Sequence, residues 1–493
     1  MIAPCPLLSW IIFLPLLGAI AIALVNDVQM TKKIALVTAF IEFLVTLVIT
    51  LSFNPDEADF QQIEHYQWIP SLHAEFMLGI DGISVLFLPA SALLTLITII
   101  ASWNSVQNLS RLHFALLLVL ESVTMGVFTT LDMLLFFLFW EATLPPIFFL
   151  ISLWGIGSKR RAAALKYTLY MLCGGVLLLF AIIILAINHA DQASGELAFS
   201  LSTLLHTPLS AELQTLVFSL LVLGFAVKTP LVPFHTWLPT VAIEAPTQLT
   251  ALLTGLKLGA FGLLRFALPL APNAVSHYGW ILALLGAITL VYAALIALRQ
   301  TNLRQLLAYL SISHVGLVVV GIASLNLQAI QGAVFQLLNF SIIASCLMLI
   351  AGFLQQRLGS TDLVHLGGLA KVMPRLSVFF FLFSLASIGV PLSSSFPAEL
   401  LLIIGALKNH LGLGLVGLCG SILGAAAILM FTCRAFWGNV VHEHLYTIDD
   451  LRPRELGLLC LPIVLVLALG LYPAIILEIT YHSLQNWLEM QTK

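Results

Sequence analysis

Charge is what this sequence has least of. Asp, Glu, Lys and Arg make up 9% of its 493 residues, whereas 60% are hydrophobic and the mean hydropathy is +1.06. A soluble domain would carry about 25% charged residues, so the composition excludes a soluble globular fold. Cysteine is scarce too. Cys5, Cys173, Cys346, Cys419, Cys433 and Cys460 form no CxxC pair and no His/Cys metal spacing, which excludes a disulfide framework and an iron–sulfur site. There is no GxGxxG after a strand, no GxxxxGK[ST], and no paired mid-membrane histidines to bracket a haem. The net charge of −3 points to no nucleic-acid partner. The longest polar connections, 54–79, 189–212 and 434–455, are too short for catalytic domains. The chain is expected to hold no cofactor or metal of its own.

What remains is an all-α polytopic membrane protein. A window of about 20 apolar residues per span predicts helices near 5–25, 34–53, 82–102, 113–130, 132–156, 167–188, 213–233, 249–271, 278–298, 305–324, 328–353, 376–404, 411–433 and 456–478. No lysine or arginine precedes the first apolar run, so it reads as a first transmembrane helix and not as a cleaved signal. With the N-terminus outside, one set of loops holds fifteen basic residues, among them Lys32, Lys33, Arg111, Lys159, Arg160, Arg161 and Arg452. The other holds only Lys408 and Lys493. That asymmetry predicts both termini on the non-cytoplasmic side of the membrane. The outer loop 54–79 fits, with Asp56, Glu57, Asp59, Glu64 and Glu75 and no lysine or arginine.

The seventh span, FAVKTPLVPFHTWLP, places Lys228 beside Pro230 and Pro233, and the twelfth places Glu399 beside Pro391 and Pro397. Proline breaks a helix, and freed backbone groups are tolerated in a membrane where they line a hydrated cavity. The two broken spans lie five apart. Five is odd, so a five-helix unit used twice would sit inverted, a recurring design in transporters. The expected units are residues 1–110 (spans 1–3), 111–272 (first repeat), 273–437 (second repeat) and 438–493 (span 14). Glu141, Lys228, Lys257, His314 and Glu399 then form a series of ionisable groups on successive spans, as proton transfer requires. Lys257 follows Thr247, Thr250 and Thr254 on what reads as one hydroxylated helix face. Structural alternatives are a paired Glu141, a snorkelling Lys228 and a hydrogen-bonded core His314. Arg265 reads as an anchor or as a group tuning a neighbour. Glu42, Glu121 and Asp132 read as lying near helix ends or against lipid.

The segments FWEATLPP, FAVKTPLVPFHTWLP, EAPTQLTALLTGLKLGAFGLLRF, LLAYLSISHVG and GGLAKVMPRLSVFFFLFSLASIGVP closely resemble the antiporter-like subunits of respiratory complex I over about residues 75–440. The resemblance is greatest to the M-type chains, counterparts of mitochondrial chain 4, since the sequence stops just after the fourteenth span. It implies fourteen helices with two inverted five-helix repeats and broken helices 7 and 12. It also implies a proton-translocating membrane-arm subunit of an NADH (or related donor):quinone oxidoreductase, with two linked half-channels. Glu141 and Lys228 would form a switchable pair, Lys257 and His314 the central relay, and Glu399 the outlet. Flavin, iron–sulfur clusters and quinone would reside in partners: L-, N- and K-type membrane chains and a peripheral redox arm. The alternative is a subunit of a multi-chain cation/proton antiporter or of an ion-driven inorganic-carbon uptake complex. The sequence departs from the family pattern at WLPTVA (Thr240, Ala242), at Phe340, at PLSSSFPAEL and at Gln305.

Overall fold

A computed structural model of the chain describes residues 6–192 and 195–492. Cys5, the first residue of the first expected span, and Lys493 lie outside them. The long apolar runs begin where a side chain can satisfy the free amides of a helix start. Asp27 accepts from Met30 N at 2.9 Å, Asp132 from Leu135 N at 2.9 Å, Asn302 from Arg304 N at 3.0 Å and Asn326 from Ala329 N at 2.9 Å. Asp132 is thus a helix cap, in keeping with its expected place at a helix end.

The helices are, in order, α1 (Leu7–Leu24), α2 (Val28–Leu51), α3 (Phe87–Ser102), α4 (Ser110–Thr129), α5 (Met133–Ala142), α6 (Leu144–Trp154) and α7 (Arg160–Gln192). There follow α8 (Leu201–His206), α9 (Ala211–Lys228), α10 (Trp237–Glu244), α11 (Thr247–Gly255), α12 (Leu258–Gly262), α13 (Pro272–Leu298) and α14 (Leu303–Ala323). The last are α15 (Leu327–Leu358), α16 (Leu369–Val372), α17 (Pro374–Ser387), α18 (Ser395–Asn409), α19 (Leu411–Phe436), α20 (Pro453–Leu471) and α21 (Ala474–Thr492). Among the described residues, 12 stretches are long and apolar enough to cross a membrane, with α5–α6 joined as one and α11 joined through to Ala267 as another. The shorter apolar helices α3 and α17 complete the fourteen expected crossings.

Among the elements that were not expected are a hairpin and a last helix. The acidic outer loop folds into an antiparallel hairpin, β1 (Gln61–Ile69) with β2 (Ala74–Ile80). Its Glu64 caps α1, accepting from Leu8 N at 2.7 Å and Ser9 N at 3.0 Å, where a negative charge also complements the helix dipole. And the chain does not stop after its last crossing. Residues beyond Leu471 form α21, which is held by Trp487 Nε1 donating to Leu264 O and by Ser483 Oγ accepting from Gly82 N, both at 2.9 Å. Its polar composition hid it from a search for apolar runs.

Helix α15 is the pillar of the fold, buried along nearly its whole length and touched by α3, α11, α14, α17, α18, α20 and α21. Helices α1, α2, α7 and α13 instead turn large apolar side chains outward, Leu24, Leu51, Phe180 and Trp280 among them. That is the face a bilayer or a neighbouring membrane chain requires. Glu42 and Glu121 do not lie near helix ends or against lipid. They are buried, with 0% and 2% exposure, midway along α2 and α4, two helices that pack on each other and on α1 and α3.

Candidate functional site

The crossing that carries Lys228 stops at that residue. Pro230 has no amide to continue the ladder, and after a 3-10 turn at Phe234–Thr236 the chain resumes as an α-helix at Trp237. The indole Nε1 of Trp237 returns to Val227 O at 2.9 Å, and Val232 N reaches Thr289 Oγ1 on α13 at 3.0 Å. The break is thereby satisfied internally. Lys228 Nζ leaves it to meet Thr143 Oγ1 at 2.9 Å and Trp140 O at 3.3 Å, and lies 3.9 Å from the centre of the Trp140 ring. Its partners belong to the α5–α6 junction, where Pro145 and Pro146 interrupt the ladder.

Glu141 lies on the same junction but makes no ion pair with Lys228 among the described residues, and its Oε1 is buried without a hydrogen-bond partner. It points to Gly175 of α7, where any side chain would collide with the carboxylate. The ammonium is thus held by an uncharged hydroxyl, a carbonyl and a ring face, a cation–π arrangement, while the acid stands apart.

The next crossing breaks too, which the sequence reading did not anticipate. Helix α11 ends at Gly255, Leu256 is extended, and α12 begins after Lys257, followed by a π-turn at Leu263–Ala267. No proline causes this. Gly259 packs directly against the backbone of Lys228 and Thr229, leaving no room for a Cβ, so the two breaks adjoin. The threonine stripe does not run up to Lys257 as one continuous face. Thr250 donates to Pro246 O at 3.1 Å and Thr254 to Thr250 O at 2.9 Å, hydroxyls turned back onto their own helix. Lys257 Nζ instead meets Ser311 Oγ of α14 at 2.9 Å and lies 5.4 Å from the Phe340 ring centre. A cavity of about 20 Å³ is lined by both Lys228 and Lys257. A cavity needs about 10–15 Å³ to hold one water.

Beyond Phe340 lies the second group. His314 stacks on Phe340 with ring centres 3.9 Å apart, and its Nδ1 is 3.3 Å from Gln336 Nε2 and 3.6 Å from Glu399 Oε1. Gln336 Nε2 also donates to Glu399 Oε1 at 3.1 Å. Asn339, one turn further along α15, donates to Gln336 Oε1 at 3.3 Å and to Ser395 Oγ at 2.5 Å, and accepts from Ser394. Glu399 therefore sits at the start of α18 in a closed set of hydrogen bonds tying the twelfth-span break to α15.

That break spans residues 388–394, where Gly389 and Leu392 have φ of +76° and +80°. Gly389 adopts that conformation freely, but in Leu392 it costs about 1–2 kcal/mol. Leu392 is 63% exposed, so little packing is lost on removing its side chain. Glycine's extra backbone entropy offsets about 0.5–1 kcal/mol. Leu392→Gly is expected to raise stability by up to about 1 kcal/mol, read as a higher thermal midpoint of the purified protein; a lower midpoint refutes the strain.

The five residues read from sequence thus fall into two clusters, Glu141–Lys228–Lys257 and His314–Glu399, with the Phe340 ring between them. The reading missed Thr143, Ser311 and Gln336. Ser311 lies three residues before His314, and Gln336 is an amide in the middle of an apolar helix, signals available in the sequence. Arg265 serves elsewhere. Its guanidinium makes a two-pronged ion pair with Asp81, Nη1 to Oδ2 at 2.6 Å and Nη2 to Oδ1, both side chains being 7% exposed.

Comparison with known proteins gives the arrangement its family. Residues 130–424 match the family described as NADH:quinone oxidoreductase/Mrp antiporter, TM. The chain is 36% identical to NADH-quinone oxidoreductase subunit M of Rickettsia prowazekii (strain Madrid E), over 98% of this chain and 99% of that one. It is 34% identical to NADH-ubiquinone oxidoreductase chain 4 of Arabidopsis thaliana, over 97% and 96%. Its fold matches a chain of respiratory complex I from Thermus thermophilus with a TM-score of 0.89 at 28% identity, covering 98% of this chain and 99% of that one. A chain of the Mrp complex from Dietzia sp. DQ12-45-1b shares the fold alone, with a TM-score of 0.85 at 22% identity, covering 97% of this chain and 52% of that one. On identity, coverage and fold together, the chain belongs to the NADH-quinone oxidoreductase subunit M family, the antiporter-like membrane subunits of respiratory complex I.

Proposed function

We propose that this chain carries protons across the membrane along the row Glu141, Lys228, Lys257, His314 and Glu399. The observation that carries the reading is the adjoining pair of helix breaks, each presenting a lysine to one cavity of about 20 Å³. A proton passes between Lys228 and Lys257 through a water held there. Ser311, hydrogen-bonded to Lys257, and Gln336, hydrogen-bonded to both His314 and Glu399, continue the line. Glu141 and Lys228 alternate between apart and paired, and pairing holds the proton on Lys228 by Coulombic attraction. The Phe340 ring separates Lys257 from His314 and divides the path into two half-channels, one in each of the units 111–272 and 273–437.

Each charge moved against 100 mV costs about 2.3 kcal/mol, so the energy comes from redox partners. Flavin, iron–sulfur clusters and quinone belong to those partners, alongside L-, N- and K-type membrane chains and a peripheral arm. The bias of basic residues, fifteen against two, supports an inner-membrane location with both termini on the non-cytoplasmic side.

The test is Lys228→Met in the intact complex, reconstituted into vesicles with an internal pH dye. Methionine cannot take up a proton, and a positioned acid–base group contributes about 10²–10⁴-fold, so pumping per electron transferred is expected to fall at least about tenfold. Unchanged pumping refutes the row. The partners are tested by mild-detergent purification of the tagged chain. Flavin- and iron–sulfur-bearing chains are expected to accompany it, and recovery of antiporter-like chains alone would overturn the redox coupling.

A further inference from the structure

Two buried acids take no part in the row. Glu42 and Glu121 have 0% and 2% exposure, and all four of their carboxyl oxygens lack a hydrogen-bond partner among the described residues. Packing brings them to one place. A Cβ on Gly18 of α1 would meet Thr38 of α2 at 2.6 Å and Leu118 of α4 at 3.0 Å. Helix α1 is antiparallel to α2 through the turn at 25–27. It is antiparallel to α4 as well, since Ser122, beyond Leu118, donates to Ile12 O, before Gly18, at 2.6 Å. Helices α2 and α4 therefore run side by side in one direction. One turn beyond Thr38 and Leu118 stand Glu42 and Glu121, on the packed helices α2 and α4.

Among the described residues, no ion pair involves either acid. Helices α1 and α3, which pack on both α2 and α4, and α6, which packs on α4, carry no ionisable residue. Lys32 and Lys33 lie at the start of α2, and Arg111 and His113 at the start of α4. At 1.5 Å rise per residue, these are about 12–15 Å along the axis from the acids. Glu141 on α5 and Glu75 on β2 would only add negative charge. A lone carboxylate in hydrocarbon costs at least about 2.5 kcal/mol, and two side by side repel. One proton between them removes a charge and gives the orphaned oxygens a donor. No third Asp, Glu, His or Cys completes a metal-binding group there among the described residues, which favours a proton over a metal ion.

We propose that Glu42 and Glu121 form a second proton-holding site, a carboxyl–carboxylate pair sharing an exchangeable proton, outside the central row and outside the stretch 130–424 shared with the wider family. The proton is held between one oxygen of each acid and exchanges with the medium while the complex turns over.

The experiment is infrared difference spectroscopy on the intact complex, comparing the unaltered chain with the double substitution Glu42→Gln/Glu121→Gln. Expected is the loss, in the double variant, of a protonated-carboxyl C=O band, which in the unaltered complex shifts down in D₂O during turnover. A carboxyl region left unchanged by the double substitution overturns the proposal. So does a band that is lost but never shifts in D₂O, because the proton is then locked in a structural acid. Should the double variant not assemble, Glu121→Gln alone decides. The Glu42 band must move when its partner becomes an amide, and an unmoved band overturns the pair.

Discussion

Lys257→Met in the assembled complex is expected to reduce proton translocation by about 10²–10⁴-fold, the range contributed by a positioned acid–base group, while the complex still assembles. Lys257 is the member of its cluster that contacts α14, the helix of His314. It lines the cavity shared with Lys228 and reaches Ser311, which lies on α14 three residues before His314. The residue is 8% exposed, and its ammonium is met by one serine hydroxyl and the face of Phe340. Methionine fills similar volume with no donor, so packing is kept while the relay is cut. The measurement is vesicle acidification per NADH oxidised, alongside the yield of intact complex. Normal acidification refutes the relay. A fall in yield matching the fall in acidification would make Lys257 a structural residue instead.

The second large effect concerns stability. Arg265→Leu leaves Asp81 buried and without its ion-pair partner, for which about 3–5 kcal/mol of destabilisation is expected. Asp81 also accepts from the amides of Ile83 at 3.1 Å and Ser84 at 3.0 Å, so it fixes the turn that leads into α3. The double substitution Arg265→Leu/Asp81→Asn removes both charges, keeps the turn's acceptor, and is expected to recover most of the loss. Thermal denaturation of the purified complex measures both. Equal losses in single and double variants would show that the charge pair is not the cause.

Much of the fold was legible because its signals are local. Apolar runs about 20 residues long specify membrane crossings whatever surrounds them, and Pro230 and Pro391 break their helices by lacking an amide and by clashing with the preceding turn. Asp27, Asp132, Asn302 and Asn326 start helices through amides two or three residues away. The ionisable residues of the row stood out because charge is rare in such a chain. The helix α21 and the hairpin escaped because neither is apolar enough to register as a crossing.

The rest was decided by contacts between residues far apart in sequence. The break at Leu256–Lys257 has no proline to announce it and is set by Gly259 lying against the backbone of Lys228 and Thr229. Arg265 could be read as an anchor or as a tuning group until Asp81, 184 residues away, supplied its partner. Glu141 and Lys228 read as a pair, yet the lysine took Thr143 and the Trp140 ring instead. Glu42 and Glu121 looked peripheral because hydropathy measures each helix alone, while their burial depends on how α1, α2, α3 and α4 pack together. The sequence by itself determined which segments cross the membrane, where proline breaks them and which rare charges they carry. Only the tertiary structure decided which charges face one another, because burial and pairing depend on neighbouring helices that no local pattern encodes.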